Sequence, residues 1–249
     1  MAKKVLIAGE SWFTVHTHVK GFDYFQNTTY EEGVGSLRNA LESGGFEITY
    51  LPNHLADRDF PTTVEELQQY EVVYLSDIGA NTLLLHPETF AKSIRTPNRL
   101  DALEQYTKRG GGLCMVGGYL TFQGIEAKGR WHGTQVEQAL PVKISPLDDR
   151  VEAPQGVYPL VTGSEHPILS GLGEWPHFLG YNQLSAKPEA TELLKVGEDA
   201  FLTVWEYGEG RSAAFASDCA PHWGPPEFVN WSGYTQFWIQ LTEWLTGRL

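Results

Sequence analysis

Short apolar runs that end in glycine or in polar residues constrain the fold of this chain more than any other feature. Residues 4–9, 72–76 and 113–116 each have the length and the continuous apolar character of a strand buried on both faces. Segments with helical spacing separate these runs. Strands that alternate with helices are joined by crossover connections, so the pattern predicts an α/β fold with a mostly parallel central sheet and helices on both faces.

Four segments place their apolar residues on one helical face. They are residues 29–41, with the helix beginning at Thr29, and residues 62–70, 100–106 and 234–245. Further strands are predicted at residues 46–51, 192–196, 201–207 and 211–217. Because Gly208-Glu209-Gly210 joins the last two strands in a tight turn, the sheet is expected to end in an antiparallel hairpin.

The chain has 249 residues, which is near the upper size for a single domain. Residues from about 126 to about 189 are rich in Pro, Gly and His and show weak periodicity. This stretch is predicted to be a loop-rich elaboration over an edge or end of the sheet. We therefore expect one domain that spans residues 1–249.

Acidic residues outnumber basic ones, 31 against 18, and the formal net charge is −13. A field of that sign repels phosphates, which argues against nucleic acid or an anionic membrane as partner. No apolar run is long enough to cross a bilayer, and the apolar run after Lys3-Lys4 is too short for a signal peptide. Two cysteines, Cys114 and Cys219, are too few for a disulfide framework. The expected location is the cytoplasm.

Polar residues follow several of the predicted strands at their carboxyl ends, where ligands bind in open parallel sheets. In chain order they are Glu10, Ser11 and Trp12; Asp77 and Asn81; Gly118, Tyr119 and Gln123; and Asp218, Cys219, His222 and Trp223. Within this set, the segment from Gly110 to Gly124 is the most informative. A strand that runs into a sharp glycine-rich turn and then a helix is the geometry of a nucleophile elbow, with backbone N–H groups aimed at an anion.

The elbow segment resembles the G-x-C-x-G-x-Q motif of class I glutamine amidotransferases. Gly117 and Gln123 match that motif, whereas Tyr119 stands at the position of the nucleophilic cysteine and Thr121 at the position of the second glycine. The stretches GESWF, VKGFDYF, LSDIGANTLLL, HPILSGL, GYN and WEYGEGRSAAFASDCAPHW extend the resemblance over most of the chain. They are similar to a glutamine amidotransferase-like branch near the ThuA-like group. This resemblance implies a flavodoxin-like three-layer sandwich.

The same resemblance implies a glutaminase, but the residues depart from what that reaction needs. A glutaminase uses a thiolate that a histidine activates and a carboxylate orients. His222 lies in the region where the superfamily carries His-x-Glu, with Asp218 before it and Glu227 after it, yet no His-x-Glu occurs. A tyrosine with a pKa of about 10 is a poor nucleophile. Cys219 is the remaining thiol near the crevice, and a buried structural cysteine is the other interpretation of it.

Three functional hypotheses remain open. The first is an enzyme, a hydrolase or isomerase of a small polar ligand, for which a sugar-like molecule is one candidate. In it His222 is the general base, Asp218 its orienter and Tyr119 the acid or oxyanion donor. The second is a binding or scaffold module that has lost its nucleophile. The third is a glutaminase that uses Cys219.

The other nine strand-end residues are predicted to bind the ligand, with tryptophan faces stacking on it. A metal held by His16, His18 and His222 is the less favoured alternative, so no metal and no cofactor are expected. A homo-oligomer, formed through the elaboration and the Trp-rich C-terminal helix, is a further hypothesis.

Overall fold

A computed structural model of the protein describes residues 3–163 and 165–249. The strands are, in chain order, β1 (Lys3–Gly9), β2 (Ser11–Lys20), β3 (Asp23–Glu32), β4 (Phe46–Leu51), β5 (Val72–Ser76), β6 (Gly112–Val116), β7 (Val142–Lys143), β8 (Arg150–Val157), β9 (Leu160–Val161), β10 (Phe178–Asn182), β11 (Ser185–Ala186), β12 (Thr191–Val196), β13 (Asp199–Tyr207) and β14 (Gly210–Phe215). The α-helices are α1 (Gly35–Ser43), α2 (Asn53–Asp59), α3 (Val64–Leu67), α4 (Ala80–Leu84), α5 (Pro87–Lys92), α6 (Arg99–Lys108), α7 (Gln135–Ala139), α8 (Pro226–Val229) and α9 (Tyr234–Leu245).

Eight of these strands form the central sheet, in the order β4-β1-β5-β6-β14-β13-β12-β9. The pairs from β4 to β14 are parallel, and the pairs from β14 to β9 are antiparallel. This confirms the mostly parallel α/β sheet with a late hairpin. The chain leaves β1 towards β4 on one side and then crosses to β5 on the other. The strand order therefore reverses at β1 and β5, and their carboxyl ends flank the crevice where ligands bind in such sheets.

Helices cover both faces of the sheet. On one face, α9 packs against α1 and β14. On the other face, α6 packs against β14, and α3, α4 and α7 pack against α6. The aromatic residues of α9 point inward, and Trp238 and Phe237 are fully buried. The tryptophans of this helix therefore stabilise the core of their own chain, and they are not free to form the oligomer interface suggested from the sequence.

The prediction that the first helix begins at Thr29 is wrong. Thr29 lies in β3, which continues to Glu32, and α1 begins only at Gly35. Strands β2 and β3 pair with each other from Ser11↔Glu32 to Lys20↔Asp23 in a separate two-stranded sheet. We call residues 11–32 the arm. The sequence patterns do not predict it, because its apolar side chains face water instead of forming one buried face.

The stretch from about 126 to about 189 has more regular structure than the expected loops. It contains α7 and five strands. Strands β8 and β10 form one two-stranded sheet, β7 and β11 form another, and β9 extends the edge of the central sheet. Among the described residues, no helix is long and apolar enough to cross a membrane.

Gly9, at the end of β1, makes the closest backbone approach at the crevice. Its φ is +111°, and a Cβ placed on it would lie 1.8 Å from the carbonyl oxygen of Ser76. We therefore expect Gly9→Ala to lower the free energy of unfolding by about 3 kcal/mol or more, measured by urea denaturation. Gly35→Ala is the matched control, since a Cβ there meets nothing within 4 Å; it should stay within about 1 kcal/mol of the parent. Equal losses in the two variants would contradict the prediction.

Candidate active site

A cavity of about 460 Å³ opens at the carboxyl ends of the parallel strands. Its lining residues are Glu10, Trp12, Asp77, Tyr119, Leu120, Ile125, Asp218, Pro221 and His222. Two cavities of about 520 and 510 Å³ lie elsewhere, and the carboxylates that line them are exposed. Unlike those two cavities, the cavity at the strand ends is lined by buried carboxyl groups, and the sequence-predicted residues provide six of its nine lining residues.

Glu10 follows β1 directly and is 1% exposed. Its backbone has a φ of 52°, in the left-handed region that costs energy for a residue with a Cβ. The Glu10 N–H donates to the Ser76 carbonyl at 2.8 Å, and the Ser76 hydroxyl donates to the Glu10 carboxylate. Burial, together with the negative charge of Asp77, raises the pKa of Glu10 to about 7. Glu10 is thus poised to exchange a proton near neutral pH.

Asp77 has the same relation to β5. Its φ is 43°, and its carboxylate oxygen Oδ1 accepts a hydrogen bond from the backbone N–H of Leu120 at 2.8 Å. Burial raises the pKa of Asp77, while that hydrogen bond and the nearby His222 oppose the rise. Two neighbouring strand ends therefore both carry a carboxyl group on a strained backbone, fully buried at Glu10 and partly buried at Asp77, a combination that is typical of functional sites.

The turn after β6 differs from the expected elbow. Residues 118–123 form bends, and a short 3-10 helix (Ile125–Ala127) follows them in place of an α-helix. The backbone N–H of Gly118 donates to the Asn182 side chain at 3.0 Å, and the N–H of Leu120 donates to Asp77. The amides that were expected to bind an anion are therefore already occupied by side chains of the protein.

Asp218 and Cys219 follow β14, and both are buried. Burial raises the pKa of Asp218 well above its ordinary value, and the charges of Glu10 and Asp77 add to this. Burial likewise raises the pKa of the Cys219 thiol well above its ordinary value, with Glu10 contributing. The ligand atoms of Glu10, Asp218 and Cys219 all lie within 4.8 Å of one another. These three residues are the ones that could hold a metal ion.

His222 lies at the mouth of the cavity and is about half-exposed. Its Nδ1 is 3.8 Å from the Asp218 carboxylate, which is longer than a hydrogen bond. Burial lowers the pKa of His222, although Glu152 and Asp77 oppose the shift. The imidazole is therefore neutral near pH 7 and able to accept a proton.

Tyr119 forms one wall of the cavity. Its ring packs edge-on against His222 with the ring centroids 4.3 Å apart, and the Arg150 guanidinium lies 5.3 Å from its centroid. Its hydroxyl donates to Glu152 at 3.0 Å, and the Trp223 indole N–H donates to the other oxygen of Glu152 at 3.1 Å. Burial and this partner raise the pKa of Tyr119. Glu152 thus holds two of the predicted residues in place, and no sequence signal in the weakly periodic elaboration points to it.

The remaining predicted ligand residues are not part of the cavity lining. Ser11 is buried and accepts a hydrogen bond from the Asn53 backbone at 2.9 Å, whereas Asn81 is exposed on α4. Gln123 is buried and bonded to Pro146 and His132. Gly118, Cys219 and Trp223 lie behind the lining, and Trp223 is fully buried. Their roles in binding a ligand stay predictions, and Trp223 has no free face on which a ligand would stack.

The three-histidine metal site is not formed in the part of the chain that the structure describes. His16 and His18 lie on the arm, where His18 pairs with Asn27 at 3.0 Å and stacks on Phe25. The potential metal ligands found close together in residues 3–163 and 165–249 are Glu10, Asp218 and Cys219, without a histidine.

The family model described as "Putative glutamine amidotransferase", GATase1-like, matches residues 4–247. The chain belongs to this family. Two proteins from Salmonella typhimurium, each named a cytoplasmic protein, are 43% and 42% identical to it. Each superposes with a TM-score of 0.94 over 97% of this chain, and the matches cover 98% and 99% of those proteins.

A ThuA-like protein from Parabacteroides merdae is 11% identical, with a TM-score of 0.59 over 99% of this chain and 90% of its own, and it shows a shared fold alone. Among curated proteins no match was found.

The site of this GATase1-like protein differs from a thiol-based glutaminase in its electrostatics. Burial and, to a smaller extent, the carboxyl groups of Glu10 and Asp218 raise the pKa of Cys219 instead of stabilising a thiolate. The thiol, moreover, is not part of the cavity lining. The geometry can hold and transfer protons, but it does not present an activated sulfur to a ligand.

Glu10 makes the stability of the protein depend on pH. Its pKa is about 7 in the folded state and 4.5 in the unfolded chain, so between these values the folded state binds more protons and stability falls as pH rises. We expect Glu10→Gln to remove this loss. Its free energy of unfolding, relative to the parent, should gain about 3 kcal/mol between about pH 4 and about pH 8.

Urea denaturation at both pH values measures the difference. Glu47→Gln is the control, because Glu47 is exposed on β4 and should follow the parent curve. Parallel curves for the parent and Glu10→Gln would contradict the assignment.

Proposed function

We propose that this GATase1-like protein is an enzyme that transfers protons on a small polar metabolite, as a hydrolase or isomerase, and that it has no glutaminase activity. One observation carries the proposal. Two buried carboxyl groups, those of Glu10 and Asp218, converge on one cavity with the partly buried carboxyl group of Asp77 and a neutral imidazole, and no lysine or arginine is among the lining residues. Groups with perturbed pKa values that meet in a cleft are the usual signature of acid–base catalysis.

The lining favours an uncharged or cationic ligand. Carboxyl oxygens accept hydrogen bonds from hydroxyl and ammonium groups, whereas a phosphate or carboxylate would meet like charges without a cationic partner. The rings of Trp12 and Tyr119 offer apolar faces to the C–H groups of a sugar-like molecule. A cavity of about 460 Å³ has the size of a small-molecule site.

The proton chemistry is assigned to Glu10 and His222. Glu10, with a pKa of about 7, gives or takes a proton at neutral pH, and the neutral His222 acts as general base. Asp218, with its pKa well above the ordinary value, stays protonated and donates a hydrogen bond to the ligand. Because the Tyr119 hydroxyl is engaged by Glu152, we assign Tyr119 a positioning role, in place of the acid or oxyanion donor suggested by the sequence.

A binding module without catalysis is the second candidate. The hydrogen bonds that close off the elbow amides favour it, since a superfamily catalyst would keep these donors free for its substrate. We place the protein in the cytoplasm, in line with the names of the two Salmonella relatives. With a net charge of −13, neither nucleic acid nor an anionic membrane enters the proposal as a partner.

The test uses solvent exchange, which detects proton transfer without knowledge of the product. Aldoses, ketoses, polyols and sugar lactones are incubated with the protein in deuterated water, and deuterium incorporation or product formation is followed by NMR. Glu10→Gln and His222→Gln should each lower the rate by about 10²- to 10⁴-fold, whereas Glu47→Gln should not. Phosphorylated sugars are expected to be inert. Saturable binding of a sugar without exchange or product would instead support the binding module.

The glutaminase alternative makes a separate prediction about Cys219. Both cysteines are buried, and burial raises the pKa of each thiol. We expect a glutamine-analogue alkylator to leave the folded protein unlabelled, as judged by intact mass, and to label both thiols once the chain is unfolded in urea. Labelling of Cys219 in the folded protein, with ammonia released from glutamine, would establish the glutaminase instead.

A further inference from the structure

The arm is the least buried regular element of the described chain. Beyond Ser11, none of its residues is buried, and the exposed fractions of Val19, Phe22 and Tyr24 are 72%, 107% and 71%. Phe13, Val15 and Phe25 are also more than half exposed. A two-stranded ribbon with water on both faces is only marginally stable by itself. Exposed aromatic residues in such number mark a surface that another molecule covers.

A second apolar surface lies close to the root of the arm. It is formed by α4, α5 and the residues beside them, where Phe90 is 79% and Ile94 is 50% exposed, together with Leu84 and Leu85. Helix α2 connects the two surfaces. The rings of Phe13 and Tyr30, at the arm root, pack on His54 of α2, and α2 packs on α4.

The charges of the two surfaces are complementary. The arm, residues 11–32, has one lysine and three carboxylates. Residues 80–98, around α4 and α5, have Lys92 and Arg95 but one carboxylate, and they are net positive in a chain whose net charge is −13. Two copies of this acidic chain would therefore repel each other over most of their surfaces, but not where the arm of one meets α4–α5 of the other.

The area of the arm suits a reciprocal exchange between two copies. Strands of ten residues are roughly 34 Å long, and a ribbon of two strands about 10 Å wide presents roughly 340 Å² on each face. A stable interface needs about 800 Å² per partner. One face of one arm is too small. A two-fold exchange, in which each copy gives its arm and receives another, buries roughly 680 Å² per copy, which lies within the range of standard interfaces.

We propose that the arm embraces the α4–α5 surface of a second copy of this chain in a two-fold symmetric dimer. The inference stands on the arm and its receptor surface, and it does not depend on the proposed function. It links assembly to the site in one respect. Trp12, the second residue of the arm, lines the cavity, so a partner that orders the arm also fixes a wall of the site.

Sedimentation velocity over a range of concentrations tests the dimer. The parent should sediment with twice the mass of one chain. The double variant Phe22→Ser, Tyr24→Ser in the arm and the single variant Phe90→Ser in the receptor should each weaken dimerisation by about 100-fold or more. Leu147→Ser removes a side chain that is 70% exposed outside both surfaces and should leave the dimer intact. Because all the changed side chains are exposed, near-UV circular dichroism should show every variant folded.

Cross-linking tests the contact itself. Lys20→Cys in the arm and Ala91→Cys in α5 change exposed side chains and leave the aromatic anchors in place. The two variants are prepared separately and mixed, and a short bis-maleimide should join them in the mixture but not in either variant alone, since both native thiols are buried. A parent that is monomeric at all concentrations, a Phe90→Ser variant with parental affinity, or a mixture without cross-links would each overturn the proposal. Flotation of the parent, lost in the arm variant, with phosphatidylcholine–phosphatidylglycerol vesicles would point to a membrane instead.

Discussion

Repulsion and desolvation among the carboxyl groups of Glu10, Asp77 and Asp218 form the constraint around which this end of the molecule is arranged. A buried carboxylate is costly unless it is protonated, hydrogen-bonded or paired with a cation. The structure uses the first two routes. The Ser76 hydroxyl donates to Glu10 and the amide of Leu120 donates to Asp77, while burial raises the pKa of Asp218 well above its ordinary value and so favours its protonated form. These contacts form because β1, β5 and β14 run in the same direction, so that their carboxyl ends lie at the same end of the sheet.

This arrangement also explains how the fold remains stable without a nucleophile elbow. In an elbow the strained turn is kept because its amides are needed by the reaction. Here the backbone N–H groups of Gly118 and Leu120 donate to the side chains of Asn182 and Asp77. These hydrogen bonds within the protein stabilise the turn without a substrate. The Asp77 carboxylate accepts the hydrogen bond that an oxyanion would accept in an elbow. Chemistry at this site is therefore expected to start from the carboxyl groups and His222, and not from residue 119.

Much of the fold could be predicted from the sequence, because buried parallel strands are continuous apolar runs and glycine marks their ends. Strands β1, β4, β5, β6 and the hairpin of β13 and β14 lie where the patterns place them, and α9 agrees with its predicted bounds. The arm could not be predicted in the same way. The arm does not pack on the core of its own chain, so its side chains show no alternation between buried and exposed positions. Thr29 and Tyr30 have helical spacing to the buried residues of α1 only by coincidence.

The site was predictable in part for a related reason. Strand ends can be read from the sequence, and this suffices to bring Glu10, Asp77 and Asp218 together. Which groups face the cavity depends on tertiary packing. Trp223 was expected beside the ligand but is buried against Gly180, where its indole nitrogen would lie 2.2 Å from an added Cβ. Glu152 and Asn182, which hold Tyr119 and Gly118, come from the elaboration, where no periodic pattern identifies them.

The arm and the carboxyl cluster meet at a single residue. The chain enters the arm directly after Glu10 and leaves it at Gly33, whose N–H donates to the Glu10 carbonyl at 3.0 Å. A Cβ on Gly33 would lie 2.6 Å from the Glu10 carboxylate, so the returning strand packs directly on that group. Both strands of the arm are thus anchored on the strained backbone of Glu10, whose pKa is raised to about 7. Whatever fixes the arm also fixes the burial of Glu10, and through burial its pKa. The proposed assembly and the proposed proton chemistry would therefore be coupled through Glu10 by geometry.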